Sequence, residues 1–494
     1  MASDGQAVGV DSGLTDRQSP GEDSNLTDRQ AAVRIAELAA QKGGRVYYVG
    51  GLVRDALLAG QNKKEYIEGK ASPEKECIEQ DISSKDVDIE VHSIAPQDLF
   101  ELLKEVGEPL QYGSSFGVYG LKGLGIDIAM PRKEHATGRG HRDFAVFVDP
   151  FIGPREAARR RDFTINAIMQ DVLTGELLDP YGGAGDLKNG VLRCVDPKSF
   201  AEDPLRVLRC AQFASRFGFS VEADTLALCR TIDITTLSRE RVEEELKKAL
   251  LKSSAPSVFF EVLRQMDQLE PWFAEIKSLI GLEQDPVFHP EGDVWTHTMQ
   301  VLDRAAALRE RAARPFAYML LALTHDLGKI EATSFEKGRI HAYGHEKLGL
   351  PIIETFLRRI TGDEKVIKYV LNMAELHMKP NMAAYSRAAV KSTNKMFDQA
   401  EEPEDLIYMA MADKPVMSGN EPFEGDSDFL FERLKTYRQT MAEPFVSGKD
   451  LVEAGLRPGE EFSELLAYAH KLRLAGIDKQ TALKQVLSYK GKKK

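Results

Sequence analysis

Two carboxylates and a pair of glycines carry the most chemistry in this chain. Asp86 and Asp88 stand in DVDIEVH at residues 86–92. Side chains alternate along a strand, so Asp86, Asp88 and Glu90 share one face while Val87, Ile89 and Val91 pack on the other. Carboxylates one pleat apart can hold a divalent cation. Upstream, VGGLVRDALLAG at residues 49–60 reads as strand, turn and helix. Gly50–Gly51 would let a phosphate approach backbone amides at the helix N-terminus. The combination suggests metal-dependent nucleotidyl transfer.

Two basic segments follow. RRDFTINA at residues 160–167 sets Arg160 and Arg161 before a helix start that Asp162 or Thr164 would cap. Arginines beside a carboxylate–metal site neutralise a triphosphate by bidentate contacts. A capped helix with a solvated basic edge explains the segment equally well. In EDPLRVLR at residues 202–209, Asp203 is expected as N-cap and Pro204 at the first helical position. Arg206 and Arg209 then lie on one helix face. An aspartate accepting from an exocyclic amino group, with an arginine donating to a ring nitrogen, would accept cytosine and adenine. The same pair would reject uracil and guanine, because the mismatched polar groups would be left unpaired.

GGLVRD, DVDIEV, RRDFTINA, DPYGGAGDLKNGVLR and EDPLRVLR occur in that order. In this the chain resembles the class II tRNA nucleotidyltransferases, the bacterial CCA-adding enzymes and poly(A) polymerases. The resemblance is close over residues 46–219 and looser beyond. It implies a polymerase-beta-like mixed sheet in an α/β nucleotidyltransferase head, followed by a long all-α body. It implies that Asp86 and Asp88 bind two Mg²⁺ ions and activate a primer 3′-hydroxyl. Gly50, Gly51 and Arg54 would hold the triphosphate, with Arg160, Arg161 and Arg209 adding phosphate contacts. Asp203 and Arg206 would read the base. Asp127, in GIDIAMPR, is read as a structural strand residue, with a third catalytic carboxylate as the alternative. Residues 133–150 resemble the family's flexible loop. A polar insertion at residues 62–84 is longer than usual, and Gln212 stands where some relatives carry an arginine.

A second constellation lies further on. His297 falls in DVWTHTMQVL, His325 and Asp326 in LALTHDLGK, His345 in AYGHEKLG, His377 in AELHMKP and Asp413 in MAMADKP. Imidazoles and carboxylates on apolar helices would be costly unless satisfied, and together they can hold a divalent metal. The order resembles the HD phosphohydrolase superfamily, and the local text resembles the HD region of some bacterial CCA-adding enzymes. The resemblance implies His297, His325, Asp326 and Asp413 as ligands, with His345 and His377 for a second metal or for phosphate contact and acid catalysis. Such enzymes act on phosphate and 2′,3′-cyclic phosphate ends. A carboxylate-only head suits Mg²⁺, while a His-rich site favours Mn²⁺, Ni²⁺ or Co²⁺.

These residues need a scaffold, and the chain is long enough to build one. It has 494 residues, 43% apolar and 29% charged, with a net charge of −12, as in ordinary globular proteins. The acidic balance opposes a broadly basic nucleic-acid binder. A local groove around Arg155, Arg159, Arg160 and Arg161, or the lysine tail at 490–494, can still steer a polyanion. Four cysteines lack CxxC spacing, which suits reduced thiols in a cytoplasmic protein. No apolar run reaches the length of a membrane span, and the polar start is no signal peptide. A disordered segment is expected at residues 1–27, where one of two LTDRQ pentamers lies, and the head at 28–180. A helical neck for nucleobase recognition and RNA binding is expected at 181–284, an HD domain at 285–420, and a helical tail contacting tRNA at 421–494. Expected partners are tRNA, CTP and ATP, with no membrane; a homodimer through the helical body is left open. Two other readings stand beside CCA addition: an enzyme adding only A, and an HD phosphohydrolase whose inactive head serves to bind RNA.

Overall fold

The computed structural model describes residues 26–62, 87–112, 117–136, 144–414 and 424–491. Asp86, residues 63–84 of the polar insertion, residues 137–143 of the expected loop and lysines 492–494 lie outside them. The chain divides into two compact units, Met1–Asp203 and Pro204–Lys494. Among the described residues no helix is long and apolar enough to cross a membrane.

The first unit begins with the helix Asp28–Gln41, whose first turn is closed by a Thr27–Gln30 capping box. Its strands include, in chain order, β1 Arg45–Val49, β2 Val87–His92, β3 Pro109–Gln111, β4 Val118–Leu121, β5 Ile126–Ala129, β6 Arg132–Ala136, β7 Phe144–Val148, β8 Met169–Asp171 and β9 Leu177–Leu178. Seven form one sheet in the order β3-β4-β5-β2-β1-β8-β9, and β6 pairs with β7 alone. Within the large sheet, β2 and β5 run parallel, while β1 is antiparallel to both neighbours.

Alternation along the central strands splits the core in two. Val87, Ile89 and Val91 join Val46, Tyr48, Ile126 and Ile128 in one cluster with Ile35, Leu99 and Leu103 of the covering helices. Tyr47 and Val49 of β1 turn the other way, into a smaller cluster with Ala158, Ala167 and Met169. Asp88 and Glu90 therefore emerge on the side where residues 158–169 pack, as the period of two requires.

The second unit is helical. Helices Leu205–Phe217, Arg239–Lys252 and Ser257–Gln265 follow the three- and four-residue apolar spacing of the sequence. Val294–Leu308, Pro315–Thr324, Glu364–Leu376 and Pro403–Asp413 carry the histidine–aspartate residues or adjoin them. A short hairpin, Ser334–Glu336 with Arg339–His341, interrupts the helices. The tail forms Gly448–Glu453, Glu461–Leu474 and Lys479–Gly491 around Leu451, Leu465, Ala469 and Val486.

Candidate active sites

In the first unit the glycine turn, β2 and the arginine segment converge. Gly50 adopts a left-handed φ of 68°, a conformation open to glycine at little cost. The helix Gly51–Asn62 starts immediately after it. A Cβ on Gly50 would lie 3.6 Å from Arg161 Nη1 and 4.0 Å from Asp88 Oδ2. A Cβ on Gly51 would lie 3.3 Å from Arg54 Nη2. One carboxylate and two guanidinium groups thus flank the turn.

Asn166 ties this cluster together. Its Oδ1 accepts from Arg54 Nη1 at 2.6 Å, and its backbone carbonyl accepts from Arg161 Nη1 at 3.0 Å. Its own Nδ2 donates to Asp162 Oδ1 at 2.8 Å. Arg54 also donates to Asp55 through Nε and Nη2. Strand register places Asp127 of β5 directly beside Asp88 of β2, so the two aspartates are lateral neighbours on the sheet.

One local expectation needs correction. RRDFTINA does not start an α-helix; residues Thr164–Asn166 form a single 3-10 turn without a side-chain cap. Asp162 instead holds the Phe163 amide and Asn166, while Thr164 donates its hydroxyl to Asp186. Asp203, in extended backbone, closes the helix Pro197–Glu202, and Pro204 already has helical dihedrals at the start of Leu205–Phe217. The ring of Pro204 fixes φ near the helical value, which presets the first turn. Asp203 thus ends the first unit, while Arg206 and Arg209 share the first helix of the second. Arg209 lies over the Phe213 ring, its Nη1 3.9 Å from Glu245 Oε1.

The second unit gathers all six of its expected residues. His297, His325 and Asp413 bring one ligand atom each within 4.8 Å of one another, as do Asp326, His345 and His377. Asp326 joins the trios: Oδ2 lies 3.6 Å from His297 Nε2 and 3.4 Å from His325 Nε2, and Oδ1 lies 3.2 Å from His345 Nε2.

The ring orientations are fixed from behind. Nδ1 of His325, His345 and His377 each meets a backbone carbonyl, at 3.0, 2.8 and 2.6 Å. A carbonyl only accepts, so Nδ1 carries a proton and Nε2 faces the centre. His297 Nδ1 is held by Glu291 Oε1 at 2.6 Å. Hydrogen bonds of this kind orient metal-ligating histidines.

The charges follow from this crowding. Burial pushes His325 down, but the Asp326 and Asp413 carboxylates outweigh it and lift it to about 10. Burial and the neighbouring His325 charge push His377 down to about 4. Burial raises the Asp326 carboxyl, but Lys329 and His325 overcome it and hold it well below the usual range. His325 Nε2 is buried with no hydrogen-bond partner. His345 Nε2 and His377 Nε2 stand 3.2 Å apart. Converging ring nitrogens and carboxylates, one nitrogen orphaned, fit a divalent cation that accepts nitrogen and oxygen donors and displaces the proton from Nε2.

Sequence reasoning named Glu90 only as a face-sharing residue and missed His289, Glu291 and Lys329. Lys329 Nζ pairs with Asp326 Oδ2 at 2.7 Å, and His289 shares Glu291 with His297. The lysine was legible in HDLGK, one turn after Asp326. His289 and Glu291 stand in an irregular segment before the His297 helix, where no periodicity marks them.

Comparison with known proteins agrees with this layout. Residues 46–193 match the family model of the poly A polymerase head domain, and residues 294–415 match that of the HD domain. A multifunctional CCA protein of Nitrosococcus oceani is 35% identical over 431 residues, which is 85% of this chain and 95% of that protein. A CCA-adding enzyme in an apo form matches with a TM-score of 0.62 at 21% identity, over 92% of this chain and 95% of that one. The Thermotoga maritima CCA-adding enzyme complexed with tRNA matches with a TM-score of 0.59 at 21% identity, over 92% and 94%. These solved structures share the fold. With a nucleotidyltransferase head, an HD region and this identity along most of its length, the chain belongs to the family of multifunctional CCA proteins.

Proposed function

We propose that the chain adds or repairs the 3′-terminal CCA of tRNA, using CTP and ATP, and that its HD region hydrolyses phosphate or 2′,3′-cyclic phosphate ends. The observation that carries the transferase reading is the convergence of Asp88, Arg161 and Arg54 on the Gly50–Gly51 turn.

Asp86 and Asp88 would hold Mg²⁺, with Asp127 beside Asp88. The cation, when bound, supplies charge that lowers the cost of phosphoryl transfer. The residues of the chain do the rest. Gly50 and Gly51 leave room for a triphosphate against the helix start, and Arg54, Arg160 and Arg161 neutralise its charge. The primer 3′-hydroxyl loses its proton to water as its oxygen attacks the α-phosphorus, the bond to the bridging oxygen of the β-phosphate breaks, and pyrophosphate leaves. Asp203 and Arg206 would select cytosine and adenine, and Arg209 would add a phosphate contact. In the HD region His297, His325, Asp326 and Asp413 would hold one divalent ion, Mn²⁺, Ni²⁺ or Co²⁺. His345 and His377 would complete a second position with Asp326 or meet the phosphate directly.

The test is extension of tRNA lacking its 3′ end, supplied with CTP, ATP or both. CTP alone should add C, and both nucleotides should complete CCA. Extension by ATP alone, with none by CTP, would replace this reading with an A-adding enzyme. Phosphate release without any nucleotide incorporation would leave the head as an RNA-binding module.

A further inference from the structure

Glu90 is a charged residue in the middle of a sheet, 1% exposed, two positions from Asp88. A further carboxylate here adds negative charge beside a site that must accept a triphosphate. A buried carboxylate is also costly unless it is well partnered. Valine or isoleucine would pack this position without that cost.

The contacts of Glu90 explain its presence. Its two oxygens do separate work. Oε1 meets His92 Nε2 at 2.8 Å, and the His92 ring is closed off by Tyr47, edge to face at 5.2 Å. Oε2 faces Arg160 Nη2 and Arg161 Nη2, each at 3.5 Å. Adjacent arginines repel, and a carboxylate between them removes the repulsion. Arg161 has a second anchor in the Asn166 carbonyl, and Asn166 also holds Arg54. The chain Glu90–Arg161–Asn166–Arg54 thereby arranges cations around the Gly50–Gly51 turn.

We propose that Glu90 is a positioning residue of the transferase site: it gathers Arg160 and Arg161 beside the glycine turn so that they meet the triphosphate of the incoming nucleotide already oriented. The proposal rests on the nucleotidyltransferase reading above. Glu90 acts through the arginines and touches neither base nor primer, so it should matter equally for CTP and ATP. An aligned pair of cations saves the ordering cost that binding would otherwise carry.

The experiment compares the full chain with Glu90→Gln and Glu90→Asp. Dissociation constants for CTP and ATP are read by calorimetry with Mg²⁺, and KM and kcat by tRNA extension. Thermal melts check that each variant is folded. Glu90→Gln keeps the shape and removes the charge. It should raise the dissociation constant and KM for both nucleotides by roughly tenfold, with kcat within about threefold and cytosine-over-uracil selection unchanged. Glu90→Asp keeps the charge and should recover part of the loss. Adding Glu90→Gln to Arg161→Lys should cost less than the two single effects combined. Nucleotide affinities equal to the parent's in a folded Glu90→Gln protein would overturn the proposal. So would a loss confined to one nucleotide, full additivity with Arg161→Lys, or failure of the parent to bind either nucleotide. A parent that binds both nucleotides but extends no tRNA would sink the proposed function instead, and the affinity comparison would still decide the role of Glu90.

Discussion

Glu291 shows how a single side chain outside the proposed ligand set can govern the proposed metal centre. Its Oε1 holds His297 Nδ1 at 2.6 Å and His289 Nδ1 at 3.0 Å. Burial pushes the Glu291 carboxyl up, but hydrogen bonds from His297, a backbone amide and His289 bring it down to about 2. It is therefore ionised across the working range and fixes the tautomer of His297. Glu291→Gln should weaken metal binding by about ten- to a hundredfold, read by titrating the protein with Mn²⁺ or Ni²⁺. An unchanged affinity would remove Glu291 from the centre. At this scale, legibility tracked chemical distinctiveness. His325-Asp326 announced itself because an ionisable pair within an apolar stretch of sequence demands an explanation. Asn166 did not, because an amide in a capped-looking segment is ordinary, and its bond to Arg54 exists only once the Gly51–Asn62 helix packs against the arginine segment.

Elements set how close those side chains come. Gly328 follows the Pro315–Thr324 helix and faces the His345–Leu348 turn. A Cβ there would lie 1.9 Å from the His345 carbonyl oxygen and 2.7 Å from the Gly349 nitrogen. Backbone atoms cannot yield as a side chain does, so Gly328→Ala should push the His345 turn away from Asp326. We expect a loss of about 2–3 kcal/mol, in the range of overpacked cores, read by urea unfolding, with phosphatase activity falling alongside. A normal midpoint would show that the turn yields easily.

Asp293 caps the Val294–Leu308 helix that carries His297, accepting the Thr296 amide at 2.9 Å and the Gly281 amide at 2.7 Å. Burial raises its carboxyl, yet the Thr296 and Gly281 hydrogen bonds prevail and hold it below the usual range. A depressed carboxylate adds stability above its ordinary pKa and loses it as pH falls through the folded value. Asp293→Ala should cost about 1 kcal/mol near neutrality. That difference from the parent should shrink below about pH 4, measured by denaturant midpoints across pH. A constant difference would rule out a charged cap.

Strand alternation and helical periodicity were readable at this level, as Val87, Ile89 and Val91 show by entering one core cluster. The 334–341 hairpin was not, because its strands are three residues each and largely exposed, leaving no buried face to imprint a period.

At the scale of the molecule, the two proposed metal sites lie on one acidic chain, and their donor sets differ. The head offers carboxylates and the HD region mixes imidazole with carboxylate. A chelator should therefore silence nucleotide addition and phosphohydrolysis together. Mg²⁺ should restore addition, while Mn²⁺, Ni²⁺ or Co²⁺ should be needed for phosphate release. Phosphohydrolysis restored fully by Mg²⁺ would contradict the ligand argument.

Asp326 has a further consequence. One short side chain answers to two sets of neighbours, and only two torsion angles govern where its oxygens point. Rotating it to serve one trio better would desert the other. The pair of trios must then drift, adapt and fail as one.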